Sequence, residues 1–495
     1  MNWGATKQSL TGLTLGALAF GLVMLGTRPP GPGLYGDSAG YMGAAESLVQ
    51  HGTLRVPFAP YTSADSTSPL AQWPPGFPVL IAGPVLGGAS AVTGARLVVA
   101  ASAAVTVILA MLLVGNAAGL AWGVVAALVL MLTTSVVSVH LDALSEPPFI
   151  TATIATLATC VWWPRRPLAS GATAAIAMLL RYMGLGVVVG AAVWGLAQPA
   201  RTTRERIGRG LLAALPGVLV YLAWSIHVRH SGAVVVHPHP DHFPLTTMRR
   251  FVGASLAWLA PESAGGMRAG RAILKGLLLV GGIWLVVRQW ASPVVRAAVV
   301  IAATSAGLLL ASQLLQANVE MSDRMFSPVH AMLDIAIVTA LALAWRPAMG
   351  LALAAWAAGT IPATVGVIRG ARTEGRYHAR REIVDSPLWQ WVRDSTPTRP
   401  AALYSNDVAD IYFATHRPSR SMPWIMTADS ARRFLASCRQ PALIVWASGY
   451  TESVIYPELL GVAATPARLE AALLLRRVAT FPTGVVWEVE GCGQS

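Results

Sequence analysis

The sequence predicts a polytopic α-helical membrane protein of about 11 transmembrane helices, with a smaller α/β domain at its C-terminal end. Three observations carry that reading. The chain of 495 residues is 54% hydrophobic and only 12% charged, where a soluble protein carries about a quarter charged residues. Apolar runs close to the ~20 residues needed to cross a bilayer recur along its first 370 positions. Beyond about residue 375 the apolar runs shorten to strand length. Lipid offers backbone groups no water, so unbroken spanning runs must be helical. A transmembrane β-barrel would show alternation instead.

Taken in order, the runs fall near 9–27, 92–114, 117–138, 146–163, 168–182, 184–199, 210–227, 272–288, 294–314, 325–345 and 348–368. The first follows only a short polar start. It lacks a small-residue cleavage site before Arg28-Pro29-Pro30, so it reads as an uncleaved span rather than a signal peptide. The run 77–90 is too short to span easily and reads as a re-entrant or interfacial helix. No internal repeat is evident.

The net charge is +13, from 36 Lys and Arg against 23 Asp and Glu, and nearly all the bases are arginine. They sit mostly in short loops between runs and in the tail. No basic stripe with interleaved aromatics appears, which argues against nucleic acid as a partner. Membrane orientation and lipid phosphate explain the bases better. Arg165, Arg166, Arg201, Arg204, Arg206, Arg209, Arg288 and Arg346 share one side if the N-terminus is cytoplasmic. The first loop (28–91), the loop 228–271 and everything after about 370 then lie outside the cell, in a multi-pass protein of the inner or plasma membrane. Arg249, Arg250, Arg268 and Arg271 break that rule, as long loops do. The expected domains are therefore 1–370, with its two outer loops, and 371–495.

In the tail, Ala402–Ser405, Ala442–Trp446 and Val485–Val489 read as strands, with helices near 428–438 and 466–476 between them. Cys438 and Cys492 lie in this domain, either bridged or as two thiols, and Cys160 lies inside a span. Arg372, Arg376, Arg380 and Arg381 read as a helix near the membrane surface. Tyr404-Ser405-Asn406-Asp407 reads as a ligand-facing edge or as turn chemistry.

Several residues carry chemistry. Gly36-Asp37-Ser38-Ala39-Gly40-Tyr41 follows the first span, and Asp37 reads both as a helix N-cap and as a rigidly held base. Trp73-Pro74-Pro75-Gly76 fixes an extended turn before a helix. His237-Pro238-His239-Pro240-Asp241-His242 holds metal-ligand types, but alternating prolines keep it extended and its side chains apart.

Asp-x-x-x-Tyr after the first span, then Pro-Pro-Gly, resembles the GT-C superfamily of polyprenyl-phosphate-sugar-dependent glycosyltransferases. The similarity is to the family-39-like branch, with protein mannosyltransferases and aminoarabinose transferases. Ser145-Glu146-Pro147, Leu180-Arg181-Tyr182-Met183-Gly184 and Asp323-Arg324 with Pro328 agree in order, and the resemblance covers essentially the whole chain. It implies a GT-C-like fold and an inverting transfer of one sugar from a polyprenyl-phosphate carrier to an extracytoplasmic glycan, lipid or protein acceptor. It implies that Asp37 is the general base, that Glu146 is a second site carboxylate, and that Tyr41, Arg181, Tyr182 and Arg324 bind substrate. Glu146 equally suits a helix N-terminus, and both arginines equally suit interfacial snorkelling. Relatives often hold a metal with a carboxylate before the Pro-Pro turn, where this chain has Gln72 and Trp73. A divalent metal thus lacks that support, and the cofactor stays unknown. A transporter or flippase of a lipid-linked sugar is the alternative, disfavoured because the middles of the spans look almost bare of ionisable residues. A non-catalytic glycan-binding assembly protein is a third class.

Overall fold

The computed structural model describes residues 3–231, 244–259, 268–314, 322–344, 347–396, 401–423, 427–438, 441–448, 465–490 and 492. The His237–His242 motif therefore lies outside the described residues. The chain divides into two units. One comprises 1–28, 71–80 and 92–373; the other comprises 29–70, 81–91 and 374–495.

The first unit is helical throughout. In chain order the first half of the protein gives α1 (Trp3–Gly26), α2 (Gly36–His51, of the second unit), α3 (Gly76–Leu86), α4 (Ala91–Ala118), α5 (Leu120–Leu132), α6 (Thr134–His140), α7 (Glu146–Trp162), α8 (Pro167–Leu180), α9 (Gly184–Ala197) and α10 (Thr203–His230). There follow α11 (Pro244–Leu256), α12 (Arg268–Arg288), α13 (Pro293–Leu314), α14 (Asp323–Leu343) and α15 (Pro347–Thr373). Among the described residues six helices are long and apolar enough to cross a membrane, or seven if α5 and α6 form one broken span. The expectation of about eleven is not met by this measure. The runs from 146 to 199 fold into α7, α8 and α9, which are 17, 14 and 14 residues long.

Two kinds of contact hold this bundle. Between apolar helices the driving force is close packing, which favours small residues. A Cβ on Gly186 would lie 2.7 Å from the Ser305 backbone, and one on Gly190 3.0 Å from Ile301 Cα, so α9 and α13 approach backbone to backbone. The second kind is polar. α5 and α6 meet at a 66° bend at Thr133. Thr133 Oγ1 donates to Asp334 Oδ2 at 2.7 Å, and Ser135 Oγ lies 2.9 Å from His330 Nδ1. Both partners belong to α14, so the break and α14 fix each other. Asp334 and His330 are buried, which corrects the expectation that span interiors are almost bare.

The second unit is an α/β layer structure. Its elements are α2, β1 (Arg55–Val56), β2 (Phe58–Ala59), β3 (Ser68–Pro69), α16 (Arg381–Val384), α17 (Pro387–Ser395), β4 (Ala402–Ser405), α18 (Val408–Thr415), β5 (Ser419–Ser421), α19 (Ala428–Ser437), β6 (Ala442–Ala447), α20 (Pro466–Ala472), β7 (Leu475–Phe481) and β8 (Gly484–Val489). The sheet order is β2-β5-β4-β6-β8-β7, parallel from β2 to β6 and antiparallel beyond. β6 is buried at every position. Ala442, Ile444 and Trp446 join Phe434 and Leu469 on one face, and Leu443, Val445 and Ala447 join Leu388 and Val392 on the other. A central strand covered by helices on both faces reads as one apolar run, as this one does. Cys438 and Cys492 are disulfide-bonded inside the first of these clusters.

The domain boundary differs from the expected division at 370. Residues 29–70 group with the tail, because β2 pairs with β5, Phe58 opposite Ser419. Arg420 adds donors to Ser63 O and Ala64 O, and Tyr412 Oη donates to Glu46 Oε2 of α2 at 2.7 Å. A two-residue strand joining an edge formed 360 residues later leaves no local signal. The expected basic helix over 372–381 is also interrupted. Gly375 and Tyr377 take positive φ (78° and 53°), and a turn separates α15 from α16.

Gly186→Leu is expected to force α9 off α13 and to cost about 1–3 kcal/mol. Gly359→Ala, inside α15 where an added Cβ meets nothing within 4 Å, should not destabilise and should gain up to about 1 kcal/mol. Thermal unfolding of the purified protein in detergent reads both.

Candidate functional site

Three of the six residues singled out in the sequence come together in the first unit. Glu146 opens α7 after Ser145, and Pro147 and Pro148 follow it in the first turn. Proline suits a first turn because the N–H it lacks would have no helical partner, and the exposed amides there favour an anion. Arg181 follows α8 in extended conformation, at a three-residue turn closed by Gly184 N–H donating to Arg181 O at 2.8 Å. A Cβ on Gly76 would lie 2.6 Å from Leu179 O, so the Pro74-Pro75-Gly76 turn seats directly against the end of α8. Arg324 is the second residue of α14, the helix anchored lower down through His330 and Asp334.

Glu146 is 1% exposed and lies between the two guanidiniums. Arg324 Nε donates to Oε1 at 2.5 Å. Arg181 Nη1 stands 2.9 Å from Oε2, yet its hydrogen bond goes to Ser145 Oγ, also at 2.9 Å. That leaves Oε2 buried and without a hydrogen-bond partner. The Arg181–Glu146 contact is therefore an ion pair by distance only. Arg181 Nη2 points at Met325 Sδ, a weak acceptor, at 3.2 Å. Two guanidiniums thus meet at one carboxylate, and one Arg181 nitrogen faces only a weak acceptor. Arginine in that condition suits a phosphate oxygen.

Tyr182 turns to a different task. Its hydroxyl donates to Ala71 O at 3.1 Å and accepts from Trp224 Nε1 at 3.0 Å. It ties the segment before Trp73-Pro74-Pro75 to α10, and the residue is 39% exposed. Asp37 and Tyr41 belong to the second unit. Asp37 does not cap α2: Tyr35 is the N-cap residue, its N–H donating to Ser38 Oγ at 3.0 Å. Asp37 sits in the first turn, half-buried, where the helix dipole favours its charge. Tyr41 is 1% exposed, packed within the unit on the buried face of α2.

The sequence reading missed a cluster in the second unit made of His378, Asp407 and Asp410. Asp407 is the N-cap of α18 and accepts from Asp410 N–H at 3.2 Å. The Asp-x-x-Asp spacing at a helix start was visible; His378, nearly thirty residues earlier in a turn, was not.

No family model matches the chain, and no curated protein matches it. Solved structures do. ArnT from Cupriavidus metallidurans in the apo state superposes with a TM-score of 0.62 at 14% identity, covering 98% of both chains. The same protein bound to undecaprenyl phosphate gives 0.58, again at 14% and 98% of both. The apo oligosaccharyltransferase of Archaeoglobus fulgidus gives 0.51 at 11% identity, covering 88% of this chain and 69% of that one. At these identities the likeness shows the fold. The chain has the fold of the GT-C glycosyltransferases and is a multi-pass membrane protein.

Glu146→Gln would remove the carboxylate on which Arg181 and Arg324 converge. The expected loss is about 3–5 kcal/mol, read by thermal unfolding in detergent. Adding Arg324→Met should recover part of it, because one of the two clustered cations is removed.

Proposed function

We propose that this GT-C-fold protein is an inverting glycosyltransferase that moves one hexose or pentose from a polyprenyl-phosphate carrier to an extracytoplasmic acceptor. The observation that carries the reading is the cationic triad. Arg181 and Arg324 both converge on one buried carboxylate, Glu146, at 2.9 Å and 2.5 Å, at adjoining helix ends. The ArnT structure with undecaprenyl phosphate supports it, since the same fold accommodates a prenyl phosphate there.

The chemistry divides between charge stabilisation and proton removal. The acceptor hydroxyl oxygen attacks the anomeric carbon from the face opposite the phosphate, which inverts the centre. As the new C–O bond forms, the bond to the phosphate oxygen breaks and its electron pair stays on the leaving prenyl phosphate. Arg181 and Arg324 offset the charge that grows there. The acceptor proton passes to the Asp37 carboxylate, which sits in the first turn of α2. Glu146 orients the two guanidiniums. The tail, with residues 29–70, faces the extracytoplasmic side, consistent with the arginine distribution.

A flippase for the same lipid-linked sugar is the second reading, favoured by Asp334 and His330 buried within α14. Transfer in detergent, without any gradient, separates the two. With polyprenyl-phosphate sugar and acceptor, Asp37→Asn is expected to lower kcat by about 10²–10⁴-fold with an unchanged melting temperature. Wild-type turnover in that variant would remove Asp37 from the role of base. No turnover by the native protein with any prenyl donor would remove the transferase reading itself.

A further inference from the structure

We infer that His378, Asp407 and Asp410 form a binding site for one divalent transition-metal ion of the zinc class, which clamps the 374–380 turn to the start of α18. This inference does not rest on the glycosyltransferase reading.

The site is built from two directions. The turn after α15 is fastened to the first loop by backbone bonds. Leu34 N–H donates to Arg376 O at 3.4 Å, and His378 N–H donates to Leu34 O at 2.9 Å. The Tyr35 and Tyr377 rings lie 3.6 Å apart by their centroids. Tyr377 at φ 53° turns the chain so that His378 enters the fold beside α18. Its Nδ1 lies 2.7 Å from Asp410 Oδ1 and 3.8 Å from Asp407 Oδ2. One donor atom from each residue falls within 4.8 Å of the other two.

Burial makes this more than a surface cluster. Asp410 is 3% exposed, and its Oδ2 is buried with no hydrogen-bond partner. An unsatisfied carboxylate oxygen costs about 1–3 kcal/mol even before its charge is counted, and a cation satisfies it directly. Two carboxylates, Asp407 and Asp410, face the His378 imidazole, and their negative potential favours a bound cation. One imidazole with two carboxylates suits zinc or its neighbours; calcium and magnesium take oxygen donors. Ligands of a tetrahedral zinc stand about 3.3 Å apart, within reach of small side-chain rotations here.

The clamp would have a structural consequence. α18 also meets α2 through Tyr412 and Glu46, and the 374–380 turn holds Leu34 and Tyr35 immediately before α2. A metal ion would therefore fix both approaches to α2, the helix that carries Asp37.

The test uses the full chain in detergent, with His237→Ala, His239→Ala and His242→Ala to remove the other histidine-rich stretch. After chelator dialysis, Zn²⁺ is added alone, and Ca²⁺ and Mg²⁺ in parallel. Metal content is measured after gel filtration, with affinity by titration calorimetry. The expected result is one retained Zn²⁺ per chain, a Zn²⁺-dependent rise in melting temperature, and a loss of about tenfold or more in affinity in His378→Gln and in Asp410→Asn. No retained Zn²⁺, equal retention in both variants, or retention of Ca²⁺ or Mg²⁺ in its place would overturn the proposal. If Asp410→Asn does not fold, His378→Gln and the melting-temperature rise decide it.

Discussion

One buried carboxylate organises the helical unit. Glu146 sits at 1% exposure between Arg181 and Arg324, and the three come from the start of α7, the end of α8 and the start of α14. Taking a carboxylate out of water costs several kcal/mol unless positive charge meets it. The three helix ends are therefore held to one geometry: any of them that drifts leaves a buried charge uncompensated. Close packing between the apolar helices is less directional than such an ion cluster. The polar bonds from α5 and α6 to α14 supply a second fixed point, so Arg324 is located from both ends of its helix.

On the proposed reading the triad serves as a phosphate site as well as a brace. A brace alone would satisfy its oxygens. Here one Glu146 oxygen has no hydrogen-bond donor, and an Arg181 nitrogen faces a thioether. A phosphate oxygen would give the guanidinium the acceptor it lacks, at no cost in reorganisation. The structure of the second unit obeys an independent rule. Its central strand is buried on both faces, and its edge is completed by residues of the first loop.

Much of this was legible in the residues. The apolar runs gave the helices because spanning length and composition are local properties. The strands of the tail were visible as short apolar runs, and Gly36–Tyr41 announced the start of α2. Glu146, Arg181 and Arg324 stood out only through the ordered motifs of the family resemblance, since an acid at a helix start and arginines at span ends are ordinary on their own. What escaped was non-local. Nothing in Phe58-Ala59 indicates a strand that needs Ser419–Ser421 as partner. His378 joins Asp407 and Asp410 only through a turn set by positive φ at a tyrosine, which no residue preference signals. Tyr35 rather than Asp37 capping α2 is a matter of one or two residues, the scale at which helix ends are hardest to read. The runs at 146–163, 168–182 and 184–199 match α7, α8 and α9 within two residues at each end.

The central claim is that Arg181 and Arg324 receive a prenyl phosphate. It is tested most directly by measuring binding of sugar-free polyprenyl phosphate to the purified protein, wild type against Arg181→Ala with Arg324→Ala, over a range of salt. The account expects saturable binding that weakens with ionic strength and falls by at least tenfold in the double variant, while a folded melting transition is retained. Unchanged affinity in that folded variant would contradict it.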